Sequence, residues 1–296
     1  MKAETIHFKT ADEIILDGIL YKSEETTKKI LISTHGMITN CIKRRDEIIA
    51  KEIEKIKIDT LVYNNRGHDI MSFAKKQNGE KIIGGTAFED VEECPNDIEG
   101  AIAFCIENGY QEIYLMGHSL GSTKTVYTYN KLIENNKKTT LEKIKGVILL
   151  SLIDIPTVLR VYLNTRYPEM LTYAKNMEKE KMENILMPET AFLSPISVKT
   201  FLKYARDYQN IDFARFSEKE YEFKELNNIK VPLMLRWGNI KEMILQKPEE
   251  ICNNLKEKIS NNQLDIGYIE GGNHSYRGKE EILAQEIKNF LEKINN

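Results

Sequence analysis

The residues with the most chemical content are Gly117, His118, Ser119, Leu120 and Gly121. They follow the apolar run Ile113, Tyr114, Leu115, Met116 and lead into a helical stretch. A serine flanked at two residues on either side by glycine has a physical reading at such a junction. A strand that folds straight back into a helix brings backbone against backbone, and the glycines remove the Cβ atoms that would collide. The serine is forced into a sharp turn and its hydroxyl projects from the sheet edge. The amide of Leu120 falls at a helix N-terminus, where unpaired N–H groups attract negative charge. The arrangement suits nucleophilic attack on a carbonyl followed by stabilisation of the resulting oxyanion. A glycine-rich turn without chemistry is the plain alternative.

A serine hydroxyl needs a base, and the chain offers His7, His35, His68, His118 and His274. His118 is turned away from Ser119 by the geometry of the turn. His35, His68 and His118 all follow strands, so a metal site built from them is a further reading. No HExxH or acidic ligand pair accompanies them, and no metal or organic cofactor is expected.

The elements that must position these side chains alternate along the chain. Two strands fill residues 4–21, with Asp17 and Gly18 as a bend or bulge. A buried strand at 30–34 ends at His35, Gly36 and Met37. A helix over 40–56 places Ile42, Ile49, Ile53 and Ile56 on one face. A strand at 59–64 leads to Asn65, Arg66, Gly67 and His68, with the arginine read as a loop anchor. A long loop carries Gly79, Gly84 and Gly85. A helix begins at Pro95, and the strand before Ser119 is followed by a helix to Asn135. Strands at 144–154, 231–237 and 264–269 complete eight. A helix covers 248–259, and the closing helix turns Ile282, Leu283, Ile287, Phe290, Leu291 and Ile294 inward. Strands separated by helices pair in parallel and are covered on both faces. Ligands of such sheets bind at the carboxyl ends of strands, where every Gly/His/Ser cluster named above falls.

Between Pro156 and Glu225 the strands stop and the pattern turns helical, dense in aromatics and methionines such as Tyr162, Phe192, Phe201, Tyr204 and Tyr208. A net charge of −3 gives no electrostatic reason to expect nucleic acid. The longest apolar run, 146–153, is too short to span a bilayer, and Met1–His7 has no apolar signal core. Cys41, Cys94, Cys105 and Cys252 are scattered without metal or disulfide spacing and read as buried thiols in a reducing compartment. The expectation is a soluble cytoplasmic protein that binds neither membrane nor nucleic acid, of undetermined oligomeric state.

The order strand–His-Gly, strand–Arg-Gly-His, strand–Gly-x-Ser-x-Gly, helical insertion, strand–acid loop, strand–Gly-x-His resembles the α/β-hydrolase superfamily. Within it the chain is most similar to esterase-type members with a helical cap, with some likeness to siderophore-esterase-like hydrolases. The resemblance implies a mostly parallel eight-stranded sheet flanked by helices, formed by residues 1–154 and 226–296, with 155–225 as the cap. It implies Ser119 as nucleophile and His274 as base, in the order Ser, acid, His. The superfamily carries an aspartate three residues after a glycine that follows the penultimate strand; here the glycine is Gly238 and the position holds Lys241. Glu242 is next door, and Asp154 after the preceding strand is the competing acid. Their plain alternatives are a solvated loop charge and a helix cap. The oxyanion hole falls to the amides of Leu120 and Met37. The implied reaction is hydrolysis of a carboxylic ester or thioester of a small acyl substrate with an apolar portion. Acyl transfer or amidase chemistry on the same fold, and ligand binding without catalysis, are the alternatives.

Overall fold

The computed structural model describes residues 1–188, 191–205 and 211–295. Strands β1 (Lys2–Lys9) and β2 (Ile14–Lys22) form an antiparallel pair in unbroken register from Lys2–Lys22 to Lys9–Ile15. Asp17 and Gly18 therefore lie within a regular strand, not at a bulge. After β3 (Lys29–Thr34) come α1 (Arg44–Ile53), β4 (Asp59–Tyr63), β5 (Ser72–Lys76), β6 (Lys81–Gly84) and α2 (Cys94–Glu107). Then follow β7 (Glu112–His118), α3 (Leu120–Glu134), α4 (Lys138–Lys143) and β8 (Ile144–Leu150). The segment before β9 (Leu233–Gly238) holds α5 (Ile155–Leu163), α6 (Tyr167–Lys179), α7 (Val198–Tyr204) and α8 (Lys224–Asn227). The chain closes with α9 (Pro248–Lys258), β10 (Leu264–Ile269) and α10 (Glu280–Asn295).

The sheet has ten strands in the order β10-β9-β8-β7-β3-β4-β2-β5-β6, with β1 on β2. From β10 to β4 every pairing is parallel. The eight predicted strands are all present. The additional two, β5 and β6, form a hairpin where the glycine-rich stretch reads as loop. Their exposed faces carry Phe73 and Ile83, so the period-two signal there is weak.

Period-two alternation sets the two faces. On β7, Ile113 and Leu115 face one core and Tyr114 and Met116 the other; on β8, Val147 and Leu149 divide likewise from Ile148 and Leu150. Helices α1 and α10 cover the second face through Ile49, Ile53, Leu283, Ile287, Phe290 and Leu291. Full burial of such a side chain stabilises by roughly 1.5–3 kcal/mol. Two positions differ from the sequence reading. Ile42 precedes the helix and is 75% exposed, and Ile282 lies on the outer side of α10 at 50% exposure. All four cysteines are buried free thiols.

The first face packs α2, α3, α9 and the segment between β8 and β9 into one core. That segment is less helical than its pattern implies: no helix lies between Lys179 and Val198 among the described residues, and Tyr208 lies outside them. Its α7 end is tied to the loop after β6, where Ser197 N–H donates to Ala87 O and Thr200 Oγ1 to Glu89 O.

Beneath the loop after β6 lies a buried ion pair. Lys124, on α3, donates to Glu89 Oε1 and to Asn65 Oδ1, and both charged side chains are 1% exposed. Burial pushes the Glu89 carboxyl above the usual range, against the pull of Lys124. Its Oε2 has no hydrogen-bond partner among the described residues. Removing one member of such a pair strands the other charge. Lys124→Met is expected to cost about 3–5 kcal/mol in denaturant unfolding, and adding Glu89→Gln to recover much of it. Equal losses in the single and double variants would contradict the pairing.

Candidate active site

Strand β7 ends at His118, and Ser119 occupies φ 57°, ψ −125° before α3 begins. The turn leaves no room for side chains around it. A Cβ on Gly117 would lie 2.3 Å from Gly121 O, and one on Gly121 would lie 2.1 Å from Thr34 O. Positive φ is costly for a residue with a Cβ and persists only when its surroundings hold it. Here Ser119 N–H donates to Leu150 O at 2.8 Å, and the Ser122 hydroxyl lies 2.9 Å from Gly117 O and 2.8 Å from Leu150 O. The strands either side of the turn are thereby bound to it.

His274 Nε2 lies 2.9 Å from Ser119 Oγ. The loop that carries it after β10 is fixed by its backbone. His274 N–H donates to Glu242 Oε2 at 3.0 Å, while its carbonyl accepts from His118 Nε2 at 2.8 Å and from Ser151 Oγ at 2.9 Å. Tyr276 braces the same loop, its hydroxyl donating to Arg236 O at 2.7 Å. His118 thus points away from Ser119, as the turn geometry requires, and anchors the histidine loop. Ser151 and Tyr276 carry no sequence signal for this role; nothing in their local pattern announces a contact across so much chain.

The two carboxylates occupy different places. Glu242 lies against His274 through the backbone amide, not the ring. Among the described residues His274 Nδ1 has no hydrogen-bond partner. Asp154 caps α5, its Oδ1 accepting from Thr157 N–H at 3.1 Å. Lys241 is exposed on the loop after β9.

Met37 and Leu120 flank the serine. Gly36 packs on it so closely that a Cβ there would lie 3.0 Å from Ser119 Cβ. Neither the Met37 nor the Leu120 amide donates a hydrogen bond among the described residues. The Gly36 carbonyl is engaged by His35 Nδ1 at 2.9 Å, and His35 Nε2 accepts from Asn65 N–H at 3.3 Å. In a trans peptide the carbonyl and the next amide point opposite ways, so this contact fixes the direction of the Met37 N–H. Burial, aided by the Lys124 charge, drives the His35 pKa down to about 3, which keeps the ring neutral.

His35, His68 and His118 do not converge. His68 pairs with Asp69 at 2.9 Å, and no group of metal-ligating side chains occurs among the described residues. Arg66 is the loop anchor expected of it, bonded to Asp12, Glu93 and Asp97.

A cavity of about 580 Å³ opens over Ser119 and His274. Phe192 and Leu193, from the segment between β8 and β9, form part of its wall with Met37, Ile153 and Met243. Among the described residues, no helix is long and apolar enough to cross a membrane.

Strand order, the turn at Ser119 and the histidine loop together define an α/β-hydrolase fold. Solved structures agree. The chain is similar to Est1E from Butyrivibrio proteoclasticus, solved with ferulic acid bound, at TM-score 0.67 and 19% identity over 98% of this chain and 99% of that one. It is similar to a thermophilic esterase from Thermogutta terrifontis at TM-score 0.60 and 15% identity over 99% and 100% of the two chains. It is also similar to naproxen esterase from Bacillus subtilis at TM-score 0.58 and 15% identity, over 98% and 92%. A family model described as "Protein of unknown function (DUF1749)" matches residues 85–295, and the chain belongs to that family. No curated protein sequence matches it.

The electrostatics of His274 give a pH signature. Burial depresses its pKa to about 4, offset in part by the charge of Glu242 and reinforced by Arg45. A base works unprotonated, so a depressed value keeps it competent at lower pH. For any reaction using His274 as base, kcat/KM is expected to fall off only well below pH 6.5. In Glu242→Gln the limb should move to still lower pH, because the charge that raises the pKa is gone. A limb at or above pH 6.5 in the wild type would contradict this environment.

Proposed function

We propose that the chain is a serine hydrolase that cleaves a carboxylic ester or thioester through an acyl-enzyme. The observation that carries the reading is the 2.9 Å approach of His274 Nε2 to Ser119 Oγ on a strained strand-to-helix turn. His274 takes the serine proton as Ser119 attacks the carbonyl carbon. The amides of Met37 and Leu120 receive the oxyanion, each worth about 3 kcal/mol in the transition state. His274 returns the proton to the leaving group and then activates water, which releases the acid and restores Ser119. Residues 155–225 act as a cap that supplies the apolar wall for the acyl or alcohol portion. That several structural neighbours are esterases supports the reaction class.

Glu242 is the acid in this reading. When Nε2 accepts from Ser119, the neutral ring carries its proton on Nδ1. Glu242 already bonds the backbone amide of the same residue, and in this reading a side-chain rotation brings its carboxylate to Nδ1. Catalytic hydrogen bonds are commonly loose without substrate and tighten in the complex. Asp154 remains the alternative, with its cap role as the competing demand. The bare Nδ1 favours one second reading, a ligand-binding protein that retains the serine and histidine without turnover.

Hydrolysis of p-nitrophenyl esters of graded chain length tests the proposal. Ser119→Ala should lower kcat by about 10⁶, and near-wild-type turnover in that variant would end it. Losing the true acid should cost on the order of 10⁴. Glu242→Gln is expected to show that loss and Asp154→Asn to show little; the reverse pattern would move the assignment to Asp154.

A further inference from the structure

The cavity above Ser119 is lined by two unlike groups of residues. Met37, Ile153, Phe192 and Met243 are apolar. Lys43, Arg44, Arg45 and Arg277 are cationic. Against these four cations the lining offers two acids, Glu242 and Glu280, and Glu242 is engaged on the His274 amide. Arg45 is 7% exposed and spends Nε and Nη2 on a single oxygen, Asp46 Oδ1, at 2.8 Å each. Arg44 has Glu281 at 4.0 Å. Among the described residues, Lys43 and Arg277 have no acidic partner within ion-pair distance.

Asp46 ties Arg45 into the fold, but among the described residues the other three cations have no comparable buried partner. Lys43, Arg44 and Arg45 are consecutive like charges at the start of α1, the end at which a helix dipole opposes cations. Asp46 and Glu47 would answer the dipole, but they are occupied by Arg45 and Lys51. A local arrangement that breaks such a rule without a stability gain marks a working surface. The positive charge also reaches the site: burial lowers the pKa of both His274 and His118, and Arg45 adds to the first and Arg45 with Lys43 to the second.

We propose that the natural substrate is an anionic ester, one carrying a carboxylate or phosphate that Lys43, Arg45 and Arg277 receive while an apolar portion packs on Met37, Ile153, Phe192 and Met243. The inference rests on the hydrolase reading and specifies its substrate class. Guanidinium groups bind carboxylate and phosphate through charge-assisted, forked hydrogen bonds. A cleft lined by one sign of charge beside low-dielectric walls concentrates the opposite sign. A neutral ester of the same shape leaves the cations hydrated and gains nothing from them.

The test compares charged and neutral esters of matched shape. Mono-p-nitrophenyl adipate against p-nitrophenyl hexanoate places the charge on the acyl side. 4-Acetoxybenzoate against 4-methylphenyl acetate places it on the alcohol side. In at least one pair the charged ester should have the higher kcat/KM, by about tenfold or more. Lys43→Glu/Arg277→Glu, at two exposed positions, should reduce that charged-to-neutral ratio by a similar factor without lowering the melting temperature. A preference for the neutral ester in both pairs overturns the proposal, as does a ratio unmoved by charge reversal. Calorimetry of hexylphosphonate with Ser119→Ala separates this from the hydrolase reading. If no ester is turned over but the phosphonate binds, and charge reversal abolishes the binding, the anion site stands and the hydrolase reading falls. If no ester is turned over and the phosphonate does not bind, both fall.

Discussion

Ser119 sits at positive φ with a side chain attached, and the surroundings give it no alternative. The backbone of Gly121 lies so near Thr34 and Gly117 that no Cβ fits. The Leu150 carbonyl receives both the Ser119 amide and the Ser122 hydroxyl. One turn thereby joins β3, β7 and β8 at their carboxyl ends, and the Ser119 hydroxyl is what projects from the joint. Strain of this kind is retained where the fold over-determines it and where a projecting nucleophile has a use. The parallel centre of the sheet follows from the same requirement, since it brings the ends of β3, β7, β8 and β10 to one edge.

The histidine is held as a backbone problem as much as a side-chain one. Its amide goes to Glu242 and its carbonyl to His118 and Ser151, so the loop after β10 is docked on the ends of β7 and β8. The opposite side is organised by a polar chain running inward. Gly36 is held by His35, His35 by Asn65, and Asn65 by Lys124, whose charge ends on Glu89. In the proposed reading, these contacts, which lie outside the site, are what direct the Met37 amide and the His274 imidazole toward Ser119.

Much of this was legible from residue order. Buried strands such as Ile30–Ile32 and Ile113–Met116 announce themselves by β-branched and aromatic apolar runs, and the paired glycines around Ser119 report a collision that only a tight turn produces. The hairpin of β5 and β6 was not legible, because Phe73 and Ile83 face outward and give no buried stripe. The helices between β8 and β9 are shorter than the sequence pattern predicts, since aromatic density signals burial but not backbone conformation; Phe192 is fully buried without a helix around it. Lys124 and Glu89 were invisible for a different reason. Charges are assigned to the surface by default, and their burial depends on a partner thirty-five residues away. The same holds for the acid: Lys241 occupies the customary position, and spacing alone does not say which neighbouring carboxylate faces His274.

The central claim is that Ser119 is an activated nucleophile, and a covalent probe addresses it without knowledge of the substrate. The protein would be treated with a fluorophosphonate, digested and sequenced by mass spectrometry, beside His274→Ala. The account predicts one adduct, on the peptide containing Ser119, formed far more slowly when His274 is absent. A wild-type protein that remains unlabelled, or labels at Ser119 equally fast without His274, would contradict it.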